Sequence, residues 1–241
     1  MNRIIIGDLV RILKKIGFYI LPVIYFLLYL VDINYTKNSS FEEQLDGVKL
    51  SCDFVLPFVT GIPIFLGVYA DELKAGAMQT SIGRGISRRK IAVSKFVVCV
   101  LLAAIIMILD MIVEYGVMRH YFIIPSSTQM KMYVTTYLAA YLKTVGAMAF
   151  SAIFIYITWN ASIGIVVLII SLSFAESTLG WIQSQFHIPV LDYSYIGQVD
   201  QACNSIAANA GWIVPLLVVI IYVVVFNAVS IAIFRRKELE L

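Results

Sequence analysis

Asp110, Glu114 and Lys143 are ionisable residues set within long apolar runs of a 241-residue chain. Hydrocarbon solvates charge poorly, so such residues must find a partner, reach water or serve a function. Asp110 and Glu114 stand four apart and share a helical face. The stem of Lys143 is long enough to snorkel outward, which puts Asp110 on an adjacent helix within its reach. The set forms either a structural ion pair or a group on a substrate or proton pathway. Other chemistries lack their residues. There is no HExxH for zinc, and Gly83-Arg84-Gly85-Ile86-Ser87-Arg88 lacks the Lys-Ser/Thr ending of a phosphate-cradling loop. His120 and His187 lie outside the predicted spans, which leaves no partner for an intramembrane serine nucleophile. Cys52, Cys99 and Cys203 show no CxxC spacing. Cys99 is expected as a packing residue, while Cys52 and Cys203 share one side of the membrane, leaving a disulfide and two free thiols both open. No catalysis, metal or cofactor is expected on this chain.

The elements that must position these residues are membrane spans. Hydrophobic residues make up 61% of the chain and charged residues 14%. Soluble domains average roughly 45–50% and about 25%. So little charge cannot cover a water-facing surface, and the net charge of +3 is too small to suggest nucleic acid. The sequence predicts an all-α integral membrane protein, a single transmembrane domain over residues 1–241 with six spans. These fall near Ile16–Val31, Phe54–Ala70, Ile91–Val113, Tyr133–Trp159, Ala161–Leu179 and Trp212–Phe234. Arg11, Lys14 and Lys15 precede the first block as in a signal peptide, but its length and lack of a small-residue cleavage site predict a retained span.

Lysine and arginine set the orientation. Arg3, Arg11, Lys14 and Lys15 precede the first span. Lys74, Arg84, Arg88, Arg89, Lys90 and Lys95 follow the second, and Arg235, Arg236 and Lys237 end the chain. The opposite side is acidic, with Asp32, Glu42, Glu43, Asp46 and Asp53 against Lys37 and Lys49. The segment from Glu176 to Gly211 carries Asp192 and Asp200 and no lysine or arginine. Both termini are therefore expected in the cytoplasm. Trp159-Asn160-Ala161 predicts a tight hairpin between the fourth and fifth spans. In the last external loop, Trp181, Phe186, Ile188, Tyr193, Tyr195 and Ile196, broken by Pro189 and Gly197, predict either re-entrant helices or an interfacial aromatic belt. Ala140, Thr144, Ala147 and Ser151 form a small-residue stripe that permits close helix approach, within the subunit or across a dimer.

The connection after the second span is the most informative. Ala75, Met78, Ile82 and Ile86 place an apolar stripe on a short amphipathic helix, ended by Gly83 and Gly85 and followed by Arg88-Arg89-Lys90. Such a helix either rests on anionic head groups or docks into a groove of a soluble partner. Glu72, Gly76, Ser87-Arg88 and Lys95 stand here in the register of the corresponding loop in membrane subunits of type 2 ABC exporters, which this chain resembles over essentially its whole length. Gly85 replaces the proline usual in that family, and Lys74 replaces a common second acidic residue.

The resemblance implies a permease in a bacterial cytoplasmic membrane, with Glu72, Gly76, Met78, Ile82, Gly85, Ser87 and Arg88 coupling it to a separate ATPase. Two ATPase copies would carry ATP and Mg, and a second permease chain, identical or a sister, would complete the pathway. It further implies export of amphipathic or hydrophobic substrates, peptides first and lipids or lipophilic drugs as the alternative. The expected lining includes Phe58, Thr60, Tyr137, Tyr141 and Thr144. Two other classes stay open: a vitamin-importer membrane subunit, against which the bulky first span argues, and a non-transporting immunity protein.

Overall fold

A computed structural model describes residues 2–35, 40–121 and 125–236; Lys37 and Lys237, counted in the charge argument, lie outside them. The chain is 90% helical, with no strand among the described residues. In order the helices are α1 (Asn2–Leu13), α2 (Ile16–Tyr35), α3 (Phe41–Lys74), α4 (Ala77–Gly83), α5 (Arg88–Tyr121) and α6 (Ser127–Thr158). Then follow α7 (Ala161–Ser173), α8 (Ala175–Phe186), α9 (Val190–Tyr193), α10 (Tyr195–Ala207) and α11 (Ile213–Arg236). Helices α2, α3, α5, α6 and α11 are long and apolar enough to cross a membrane, and α7 with α8 makes a further candidate bent by 53°.

Local chemistry sets the boundaries. Ser40 and Glu43 form a reciprocal capping box that starts α3, and Ser126 with Gln129 does the same for α6. Trp159 closes α6 in the left-handed conformation (φ 53°), and the Asn160 side chain accepts the Ser162 N–H at 2.9 Å to open α7. The predicted tight hairpin is therefore present.

The structure extends the second predicted span. Instead of beginning at Phe54, α3 starts at Phe41 and runs 34 residues, so much of the acidic loop is helix. Two π-helical segments interrupt it, Ser51–Val55 and Leu66–Ala70. Pro57 lacks the N–H that would bond the Asp53 carbonyl, and the wide turn lies over that carbonyl.

Packing follows three apolar clusters. The largest joins Ile12 of α1 to Ile64 and Val68 of α3, Val98 and Leu102 of α5, Ile155 of α6 and Phe234 of α11. A second gathers Tyr25, Cys52, Leu56, Met118 and Tyr133, and a third holds Tyr195, Val199 and Cys203 of α10 against α6 and α11. Cys52 and Cys203 thus sit in different clusters, and all three cysteines are free and buried, which corrects the disulfide alternative. Ala140, Thr144, Ala147 and Ser151 are all buried, so the small-residue stripe packs within the subunit. By contrast α2 and α11 turn aliphatic faces outward, including Leu28 and Val224. Hydrocarbon or an apolar partner is the solvent such faces require.

Candidate functional site

The loop helix α4 is short, and the chain anchors it on both sides. Gly76 adopts the left-handed conformation (φ 61°), which turns the chain sharply between α3 and α4. Gly85 does the same after α4 (φ 83°). The expected apolar stripe is present, but its direction corrects the prediction: Met78 is buried, and Ile82 and Ile86 pack against the largest core cluster. Only Ala75 of that stripe is exposed. The face left to solvent or a partner carries Lys74, Gln79, Thr80, Gly83 and Arg84.

Beneath α4 lies a buried charge cluster. Lys95 on α5 pairs with Glu72 at the end of α3 and with Asp8 on α1, the latter at 2.5 Å. Arg11 on α1 bonds Glu72 at 2.8 Å, approaches Asp8 at 3.4 Å and donates to the Gly67 carbonyl inside a π segment at 3.3 Å. Lys95, Glu72 and Asp8 are 2%, 6% and 8% exposed. Two cations and two carboxylates balance, which is what low dielectric demands. A more exposed pair, Lys15 with Asp71, flanks the cluster. Arg88 closes the loop by donating to the Phe234 and Arg235 carbonyls at 3.3 and 3.2 Å, at the C-terminal end of α11. Ser87 is exposed at the start of α5.

Roughly 28 Å away along α3, at 1.5 Å per residue, a second cluster surrounds Lys143. Its ammonium group meets Asp53 at 3.3 Å, Glu176 at 3.2 Å and Asp200 at 3.0 Å. The expected Lys143–Asp110 pair is not formed. Asp53 on a π turn, Glu176 at the start of α8 and Asp200 on α10 supply the carboxylates instead. One cation among three carboxylates leaves negative charge in excess. Burial pushes the Asp200 carboxyl above its usual range, and Lys143 opposes that rise.

A cavity of about 230 Å³ adjoins this cluster, walled by Pro57, Ala147, Phe150, Leu172, Leu179 and Phe226. Tyr195 reaches its edge by packing on Gly146 and donating to the Leu142 carbonyl at 2.5 Å. A Cβ at Gly146 would lie 2.1 Å from the Tyr195 ring, so the close approach of α10 to α6 requires glycine there. Of the expected pathway lining, Thr60 and Thr144 are buried in packing, while Tyr137 and Tyr141 border a separate pocket of about 290 Å³ between α5 and α6; the cavity beside Lys143 takes Gly146, Ala147 and Phe150 from the next face of α6.

Glu114 occupies a third polar place. It accepts from Tyr25 at 2.7 Å and from Tyr137 at 2.5 Å, and Tyr25 also meets Ser51 at 3.0 Å. Asp110, one turn away, keeps a buried carboxylate oxygen with no hydrogen-bond partner among the described residues. Among those residues no His/Cys/Asp/Glu group is arranged to hold a metal ion.

Asp8, Arg11, Asp53, Glu176 and Asp200 are site residues that the sequence alone does not single out. Asp8 and Arg11 carried a legible signal, since Ile5, Leu9 and Ile12 beside them mark an amphipathic helix. Asp53 and Asp200 entered only as topology charges, because nothing local shows that distant elements converge on Lys143.

No curated protein matches the chain. The family described as "Protein of unknown function (DUF2705)" matches residues 7–239, nearly the full length and all the clusters above, and the chain belongs to that family.

Proposed function

We propose that this chain is the membrane subunit of an ATP-driven exporter of the type 2 ABC kind, a multi-pass protein of a bacterial cytoplasmic membrane. In this reading α7 and α8 form one bent span, which gives six, and both termini face the cytoplasm with α4.

The observation that carries the reading is the tethering of α4. A soluble ATPase needs a surface to push and a stiff path into the membrane. The exposed face of α4 offers Lys74, Gln79 and Arg84. Its other face is seated by Met78, and its flanks are tied to α1, α3, α5 and α11 through Glu72, Lys95, Asp8, Arg11 and Arg88. Displacement of α4 therefore moves several helices together. Buried ion pairs add little net stability but hold geometry strictly, since separating them exposes uncompensated charge.

ATP and Mg belong to two copies of the partner ATPase, and a second permease chain, identical or a sister, faces the first. The substrate is an amphipathic or hydrophobic molecule, a peptide before a lipid or drug. Support comes from the apolar walls of the 230 Å³ cavity beside an acidic rim, which suit apolar side chains next to cationic ones.

The test is a pair of exposed substitutions, Gln79→Glu with Arg84→Glu, which leave Met78 and the buried cluster intact. Purified complexes should lose bound ATPase and substrate-stimulated hydrolysis while the permease remains inserted and folded. Unchanged, substrate-stimulated hydrolysis in the double variant would refute the docking role of α4.

A further inference from the structure

A second pocket, of about 200 Å³, opens between α2, the N-terminal half of α3 and α5. Tyr25, Tyr29, Asp32, Val48 and Ser51 line it, and Glu114 closes its buried end. We propose that this pocket binds an organic ammonium group on a small aromatic or apolar body, with Glu114 as the counter-ion. The inference does not depend on the exporter reading.

Charge balance is the first argument. Among the described residues the buried lysines, Lys95 and Lys143, each sit among carboxylates, and the buried Asp8 and Glu72 sit with Lys95 and Arg11. Glu114 is 1% exposed, and among the described residues its side-chain partners are hydroxyls, from Tyr25 and Tyr137. Hydroxyl donors offset part of the desolvation of a carboxylate and do not neutralise it. Asp110, one turn along α5, has an unpartnered buried oxygen and brings no cation.

Pocket chemistry is the second argument. Phenol rings of Tyr25 and Tyr29 beside a carboxylate suit a cation that carries apolar bulk, since ring faces attract ammonium groups and aliphatic walls cover the rest. A bare metal ion fits poorly, because the described residues hold no cluster of metal-ligand side chains. Ser51 and Asp32 also line the pocket. The Ser51–Val55 π turn places Ser51 on this pocket and Asp53 on the Lys143 cluster, so one distorted turn serves both sites.

The experiment uses the full chain in phosphatidylcholine nanodiscs, with benzylammonium as probe and benzyl alcohol as its neutral counterpart, read by calorimetry. Benzylammonium should bind saturably to the wild-type protein and at least about tenfold more tightly than benzyl alcohol. Glu114→Gln, which keeps the shape and removes the charge, should lose at least about tenfold, while Tyr29→Phe should stay within about threefold. Equal affinity for the two probes, or no saturable binding of benzylammonium to folded wild-type protein, would overturn the proposal whatever the variants do. So would an infrared carbonyl band of a neutral buried acid that vanishes in Glu114→Gln, since a proton would then already occupy the carboxylate.

Discussion

Lys95 and Lys143 show how little a residue's own position says about its partner. Lys143 was expected to reach Asp110, on the helix next in sequence, yet it is held by Asp53, Glu176 and Asp200 from three other elements. Lys95 sits in a loop motif, yet its work is done with Glu72 and with Asp8 near the start of the chain. Replacing Lys95 by Met leaves the two carboxylates with Arg11 alone, and we predict a loss of about 3–5 kcal/mol in reversible unfolding in detergent. The half-exposed Lys15–Asp71 pair provides the contrast, and Lys15→Ala should cost less than about 1 kcal/mol. Lys143→Met should act through pH. Burial already holds the Asp200 carboxyl above its ordinary value, so its contribution to stability is fully present below the ordinary value and is lost as pH rises from there through the raised one. Without Lys143 the loss deepens. Thermal midpoints of the variant should fall below wild type at neutral pH and converge with it as the carboxylates are protonated; a gap independent of pH would contradict this.

At the scale of elements, apolar runs and turn chemistry were legible, and distortions within helices were not. The α6–α7 hairpin follows from Trp159 and Asn160, and the span cores follow from block length. The extension of α3 to Phe41 was missed because Glu42, Glu43 and Asp46 read as loop charge, although Ser40 and Glu43 spell a capping box. The 53° bend between α7 and α8 sits at Phe174, where no proline or glycine marks it. Glycine carries a further test of element packing. Gly146→Leu should force Tyr195 off α6 and detach α10, seen as faster labelling of Cys203, which is 4% exposed in the native packing. Gly116, where a Cβ meets nothing within 4 Å, should accept Ala with unchanged labelling.

For the whole molecule, one polar cluster lies at the C-terminal end of α3 and another at its first π turn, with apolar packing between them and aliphatic faces outside. Composition alone made the long apolar helices legible, because 61% hydrophobic residues and 14% charge leave little else for the blocks to form. The direction of the α4 stripe was not legible, since an amphipathic pattern states that one face is apolar and leaves open whether core, lipid or partner covers it. That direction decides where an ATPase would touch, and the most direct measurement is a photo-crosslinker placed at Gln79 in intact cells, with products identified by mass spectrometry. If α4 docks an ATPase, Gln79 should crosslink to a soluble subunit that carries a phosphate-binding loop, and the product should be absent when the crosslinker replaces buried Met78. Crosslinks from Gln79 to lipid alone, in protein shown to be folded, would contradict it.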